Sequence, residues 1–442
     1  MILLKNFGNI FKIPELTRKI LFTLGVLIVY RIGVSIPAIG INTELLAGAF
    51  QKKAGFGGLL GYFDMVSGGA LQLCTIFALG IGPYITASIM MQMLSLTVPS
   101  LEALVKEGEY GRKIINQYTR YLAVLLSIAY AFSYSLYLEN LNVTQSPGLL
   151  VSSGLGFKLL FTLSLTVGST LVMWLGEQIS LFGIGNGSSM IIFAGIVARF
   201  PFYIKSIIEA LRDGRLNILV ALLILVGFAL LAACIVYLEK GDRKIPVQYA
   251  RRIIGQRVYG GQSTYIPFKI NTAGVMPVIF SQALLNIPVF IVGMFVDRWK
   301  WLRPVADALQ GGFLYSAFEF ALIIFFTYFY TAIAFNPTEL ADNIKKGGGF
   351  IPGIRPGKQT ADFFDYILNR IGLVGAVYLG VLAITPNILS IIFKLPFSVS
   401  GTSLLIMVGV ALETSAQIEA YLIEHKYEGF LSSGRIKSKV AR

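Results

Sequence analysis

The stretch "YFDMVSGGALQLCTIFALGIGPYITAS", residues 62–88, is apolar enough for a lipid bilayer, yet Ser67-Gly68-Gly69 and then Gly82-Pro83 interrupt it. Glycine admits backbone conformations that helices do not use, and proline removes a backbone donor. A helix facing lipid has no water to repair such a break, and each unpaired peptide group in hydrocarbon costs several kcal/mol. The stretch is therefore expected to lie against protein or a water-filled cavity. It divides at residues 72–75 into a short helix carrying the glycine pair, on the outward side, and a full span after it.

The surrounding chain has the composition of an integral membrane protein: of 442 residues, 55% are hydrophobic and 14% charged, and the mean hydropathy is +0.72. A soluble domain needs about 25% charged residues to cover its surface. Apolar runs long enough to cross a hydrocarbon core of about 30 Å recur at about 20–38, 74–95, 119–138, 157–177 and 186–204. Five more follow at about 216–238, 271–295, 314–334, 370–390 and 401–422. Transmembrane barrel strands alternate in polarity and need only about 9 to 11 residues, so a barrel is excluded. The expectation is an all-α membrane protein of ten transmembrane helices.

The first residues, "MILLKNFGNIFKIPELTRKI", space their apolar groups as on an amphipathic face and lack the compact pattern of a cleaved signal peptide. Cys74 and Cys234 both lie in apolar runs, where a cysteine is usually a small buried hydrophobe. The single histidine, His425, falls in the polar tail, so the sequence offers neither a metal site nor a Ser-His-Asp triad. The run "GIRPGKQT" is not a phosphate loop, because Gln359 stands where a Ser or Thr would hold magnesium.

Lysine and arginine collect in alternate loops: Lys5, Lys12, Arg18 and Lys19, then Lys106, Arg112, Lys113 and Arg120. The pattern continues in the loops at about 239–270 and 335–370 and in the tail. By the positive-inside rule these segments and both termini are cytoplasmic, as an even number of spans requires. Most of the formal net charge of +14 therefore stands on one side. The two loops exceed the usual connection of about 4 to 6 residues. Long basic loops of this kind invite a docking partner.

Spans two and seven share a Pro-x-Ile frame, Pro83 with Ile85 and Pro277 with Ile279. With five helices in each half, the second half enters from the opposite face, the inverted-repeat arrangement of transport proteins. Span seven also carries Asn271, Gln282, Asn286 and Pro288 among apolar residues, so one of its faces is expected to meet protein or water. The expected organisation is an amphipathic segment at 1–19, an N-terminal half at 20–205, a C-terminal half at 206–422 and a tail at 423–442.

Several long segments then resemble one family in order: "FDMVSGGAL", "GIGNGSSMIIFAGIVA", "RKIPVQYARR", "YGGQSTYIPFKINTAGVMP" and "GGFIPGIRPGKQT". They are similar to the SecY family, the pore subunits of the bacterial-type protein translocon. The resemblance implies two pseudo-symmetric inverted halves of five helices around a central pore. It implies a plug at about 62–73, including Tyr62, Phe63, Asp64, Met65, Val66, Ser67, Gly68, Gly69, Ala70 and Leu71. An apolar constriction would be formed by Ile81, Ile85, Ile192, Ile279 and Ile406. Spans two and three opposite seven and eight would form a lateral gate, with Gln92, Ser189 and Asn271 as its polar cluster.

The same resemblance implies that Arg243, Arg251, Arg252, Arg355 and Tyr427 dock a ribosome or the SecA motor ATPase. It further implies SecE-like and SecG-like small membrane subunits, signal sequences and nascent chains as partners, and a place in the bacterial plasma membrane, with a plastid membrane second. No cofactor is implied. The residue chemistry fits: a ring of stiff, β-branched side chains excludes ions by dewetting and yields to a chain of any sequence. Asp64 departs from this greasy setting, since a carboxylate prefers water. The rival reading is a secondary transporter, for which Arg31 and Glu413 are the candidate ionisable residues at depth.

Overall fold

The computed structural model describes residues 13–42, 45, 64, 67–144, 148–150, 154–214, 217–249, 252–254, 257–259, 263–271, 274–282, 284–285, 304, 313–393 and 401–433. Helices dominate: α1 (Pro14–Gly33), α2 (Gly82–Thr97), α3 (Pro99–Lys106), α4 (Glu109–Thr144), α5 (Leu155–Phe182), α6 (Gly187–Val197), α7 (Phe200–Arg212) and α8 (Ile218–Lys240). They continue with α9 (Phe313–Ala334), α10 (Pro337–Lys346), α11 (Lys358–Ile392) and α12 (Gly401–Ser433).

Among the described residues, seven helical runs are long and apolar enough to cross a membrane, one of them being α6 and α7 taken together over Gly187–Arg212, and α2 with α3, bent by 96°, makes an eighth if the pair is one span. Of the two other expected spans, the first is helix α1, which carries Arg18, Lys19 and Arg31. The seventh, at 271–295, lies partly outside the described residues and is helical at 276–282. The count of ten is thus consistent with what is described.

Two boundaries differ from the sequence expectation. Span two was expected to begin near residue 74, but helix α2 starts at Gly82, with Pro83 in its first turn, where a missing donor costs nothing. The segment before it, residues 67–81, is a run of turns apart from Thr75, which forms an isolated bridge. Among the described residues of the expected short helix, Asp64 is helical, whereas Gly68 and Gly69 hold φ values of +70° and +98°, outside the helical region. Span five is likewise broken after α6, with Pro201 opening α7.

The chain divides into two compact units. One comprises Met1–Phe56, Leu60–Pro201 and Val410–Arg442, and the other Gly57–Leu59 and Phe202–Gly409. In the first unit, α5 buries Phe157, Phe161, Leu165, Val172 and Ile179 along one stripe. Its other face exposes Leu159, Leu163, Val167 and Trp174, as a lipid-facing helix does. The core of this unit joins Leu71, Cys74, Ala78 and Leu79 to Tyr134, Leu138, Phe157, Phe161 and Leu165. Cys74 is fully buried there, as expected of a small hydrophobe.

The second unit contains an unanticipated sheet. Strands β1 (Asp242–Tyr249) and β4 (Ser263–Lys269) pair antiparallel, and β5 (Gly349–Phe350) adds to the other edge of β1, giving the order β4-β1-β5. A separate hairpin pairs β2 (Arg252–Ile254) with β3 (Arg257–Tyr259). β1 and β4 come from the first long basic loop and β5 from the second, so the two loops form one body. Ile245, Val247 and Phe268 of the sheet pack on Ala341 and Ile344 of α10 and on Ala361, Phe364, Ile367 and Leu368 of α11. Asn336 caps α10 by accepting from the amides of Thr338 and Glu339.

Candidate functional site

The interrupted backbone at 67–81 is satisfied by side chains and loops of its own unit. The hydroxyl of Tyr134, on α4, donates to the Leu71 carbonyl at 2.9 Å and stands 2.8 Å from the Cys74 sulfur. Ser169, on α5, donates to the Gly80 carbonyl at 3.2 Å. The Ala38 amide donates to the Cys74 carbonyl at 2.8 Å, and the Ile76 amide to the Ile36 carbonyl at 3.0 Å. Gly168 of α5 lets the Ile76 carbonyl approach, since a Cβ there would collide with it. The orphaned peptide groups that lipid could not satisfy are met by protein, as the interrupted sequence requires.

Four further groups act at Asp64 and residues 67–72. Asp64 is only 2% exposed, and its carboxylate forms an ion pair with the guanidinium of Arg199, at the break between α6 and α7. The same carboxylate accepts the Gln72 amide at 2.8 Å. Arg31, in the last turn of α1, donates to the Gly68 carbonyl at 3.0 Å, and the Tyr30 hydroxyl donates to the Ser67 carbonyl at 3.3 Å. The expectation that Asp64 seeks water is corrected: the half-buried guanidinium of Arg199 takes water's place. Sequence reading missed Arg199, whose signal was an arginine at the end of an apolar run, directly before Phe200-Pro201.

Of the expected plug residues, Asp64, Ser67, Gly68, Gly69, Ala70 and Leu71 are described, whereas Tyr62, Phe63, Met65 and Val66 lie outside the described residues. Of the five isoleucines, Ile81, Ile192, Ile279 and Ile406 are buried and Ile85 is half-buried. A Cβ on Gly176 would stand 3.2 Å from the Ile81 Cδ1, so the Ile81 side chain packs on α5.

The three polar residues expected at a gate have separate partners. Gln92 is exposed on α2 and donates to Ser88 at 3.4 Å. Ser189 lies in the first turn of α6, where Asn186 is the cap. Asn271 is 3% exposed and donates to Glu239 at 2.6 Å and to the Gly274 carbonyl at 2.9 Å. Its Oδ1 is buried without a hydrogen bond among the described residues.

Sequence reading also passed over Glu319. This carboxylate on α9 is fully buried, and its Oε1 accepts from Gln282 in the helical segment 276–282. The signal was present as a lone acid within "SAFEFALIIFF". Of the expected docking residues, Arg243 is exposed on β1 and Arg355 on the turn after β5. Arg252 lies in β2 and Tyr427 in α12, while Arg251 is outside the described residues. Arg31 and Glu413 part company: Arg31 is engaged with the 67–69 segment, and Glu413 is exposed on α12.

Comparison with known proteins agrees in fold and sequence. A family model described as SecY matches residues 75–415. The protein translocase subunit SecY of Streptomyces griseus is 46% identical over 439 residues, covering 96% of this chain and 99% of the relative. That of Rickettsia felis is 43% identical over 435 residues, covering 98% and 99%. A solved SecY structure, whose plug domain is described as stabilising the closed state of the translocation channel and maintaining a membrane seal, matches with a TM-score of 0.63. The match covers 95% of this chain and 97% of that one at 20% identity, so the two share a fold.

Proposed function

This chain belongs to the SecY family, and on that premise we propose that it is the protein-conducting subunit of a membrane translocase. Unfolded polypeptides pass through it across the membrane, and apolar helices leave it sideways into lipid. The observation that carries this reading is Asp64 together with the segment 67–81: turns within an apolar stretch, held by side chains of α1, α4 and α5, with Asp64 held from the α6–α7 break. Such a segment has a use where a passage must be closed at rest and opened on demand.

In this reading residues 62–73 are the plug, and Ile81, Ile85, Ile192, Ile279 and Ile406 form the apolar ring. Water is unstable in such a ring, so ions are stopped without a charged filter. The platform built from both long loops exposes Arg243 and Arg355, and these two together with Arg251, Arg252 and Tyr427 take a ribosome or a SecA-like motor. SecE-like and SecG-like subunits complete the assembly in a bacterial plasma membrane, with both termini cytoplasmic. Of the ionisable residues a carrier would use at depth, Arg31 is engaged with the Gly68 carbonyl, Glu413 is exposed on α12 and Glu319 is bonded to Gln282.

The test is transport by the full chain in proteoliposomes, supplied with a motor ATPase and a reporter domain behind a signal sequence. Reporter protected inside the vesicles supports the channel. A motor that hydrolyses ATP without protecting reporter overturns it, since a small-solute carrier cannot pass a chain.

A gate opens when a signal helix binds the open form better than the closed one. Interhelical polar contacts in membranes average about 0.6 kcal/mol and reach about 1.7. Asn271→Leu removes one such contact, to Glu239 on α8, and a local bond to the Gly274 carbonyl, so the least hydrophobic signal that still supports export is expected to change, with transport at threshold altered about three- to tenfold. Export measured over a graded series of signals checks this, and an unmoved threshold would remove Asn271 from the gate.

A further inference from the structure

Closing a passage needs only apolar surface, yet Asp64 and the turn at 67–69 are held by charge. Asp64 and Arg199 are 2% and 14% exposed at their side chains, and they join the segment to the end of α6. Arg31 grips the Gly68 carbonyl from α1. The backbone is shaped for these cations. A Cβ on Gly68 would stand 2.9 Å from Arg31 Nη1, and one on Gly69 would stand 3.4 Å from Arg199 Nη2. Both glycines also hold φ values that other residues rarely adopt.

A buried ion pair stabilises little compared with apolar packing, because both ions lose water. Its distinctive effect is on partial separation: two charges drawn apart before water reaches them are worse off than in either end state. Such a pair makes release of the segment all-or-none. We propose that Asp64 and Arg199 form a charge latch that holds the segment in the resting channel and sets how strong a signal must be to release it. This rests on the reading of the chain as a protein-conducting channel.

The full chain in planar bilayers and in proteoliposomes tests the latch through resting ion conductance and through transport behind a shortened signal. Asp64→Arg and Arg199→Asp are each expected to raise resting conductance about tenfold or more and to admit the shortened signal. The double reversal re-forms the pair with its signs exchanged but leaves the Gln72 amide without its acceptor, so it is expected to leak several-fold less than either single variant rather than to match the parent. A double variant that leaks like the single ones overturns the latch. Should a charge reversal prevent folding, the isosteric Asp64→Asn and the uncharged, shorter Arg199→Gln are expected to leak while Arg199→Lys stays tight. Equal tightness of all three, in protein that remains monodisperse, likewise overturns it. Transport of a full-strength signal by the unaltered chain is measured in the same vesicles, so failure of the channel reading registers separately from failure of the latch.

Discussion

Arg355→Glu lowers motor-driven transport about thirtyfold or more and leaves the amount of membrane-inserted protein unchanged. The turn that carries Arg355 is fixed on both sides. Gly353 and Gly357 hold φ values of +85° and +108°, the Ile354 amide donates to the Ile351 carbonyl at 3.1 Å, and the Thr360 hydroxyl donates to the Arg355 carbonyl at 2.9 Å. Ile351 and Thr360 are buried on the platform, while the Arg355 side chain is exposed. A guanidinium whose backbone is already ordered loses little entropy when a partner takes it, which is the condition for an arginine hot spot. Truncating such a residue costs at least about 2 kcal/mol, and reversing its charge adds repulsion toward an acidic partner.

The measurement is ATP-driven import of a reporter into inverted membrane vesicles, normalised to the quantity of chain in them. Folding is not expected to suffer, because the bonds that shape this turn use backbone groups and Thr360 rather than the guanidinium. Loss of transport in proportion to loss of chain would assign Arg355 to stability instead.

The spans and the broken segment were legible in the sequence, because both are written locally, in runs of apolar residues and in Ser67-Gly68-Gly69. The start of α2 was legible too, in Gly82-Pro83, but apolarity upstream of it drew the expected span back to residue 74. What stayed hidden depends on partners far apart in the chain. β5 has two residues, too few for a period, and becomes a strand only because Gln248 and Tyr249 of β1 lie opposite. Ile245 and Val247 alternate correctly for a half-buried strand, yet the interval is short and Pro246 lies between them. Asp64 read alone is a misfit, and Arg199 read alone is an arginine near a headgroup. Only the fold makes them a pair.

The isoleucines proposed as a ring separate into two expected behaviours. Ile81 precedes the first turn of α2, is buried and rests its Cδ1 against Gly176, so its methyls are already used in packing the first unit. Ile85 stands one turn later, its amide bonded to the Ile81 carbonyl at 3.1 Å, and is only half-buried. Serine removes three carbons from isoleucine and adds a hydroxyl; at about 0.8 kcal/mol per methylene, this favours water at the site by about 2 kcal/mol. Ile85→Ser is therefore expected to raise resting ion leakage about thirtyfold with the melting temperature nearly unchanged. Ile81→Ser instead leaves a cavity beside Gly176 and lowers the melting temperature first, by the several degrees that about 2 kcal/mol implies. Conductance and thermal unfolding measured on both variants decide the matter. If Ile85→Ser destabilises the protein as much as Ile81→Ser and leaks no more, residue 85 is core and the ring as drawn does not line a passage.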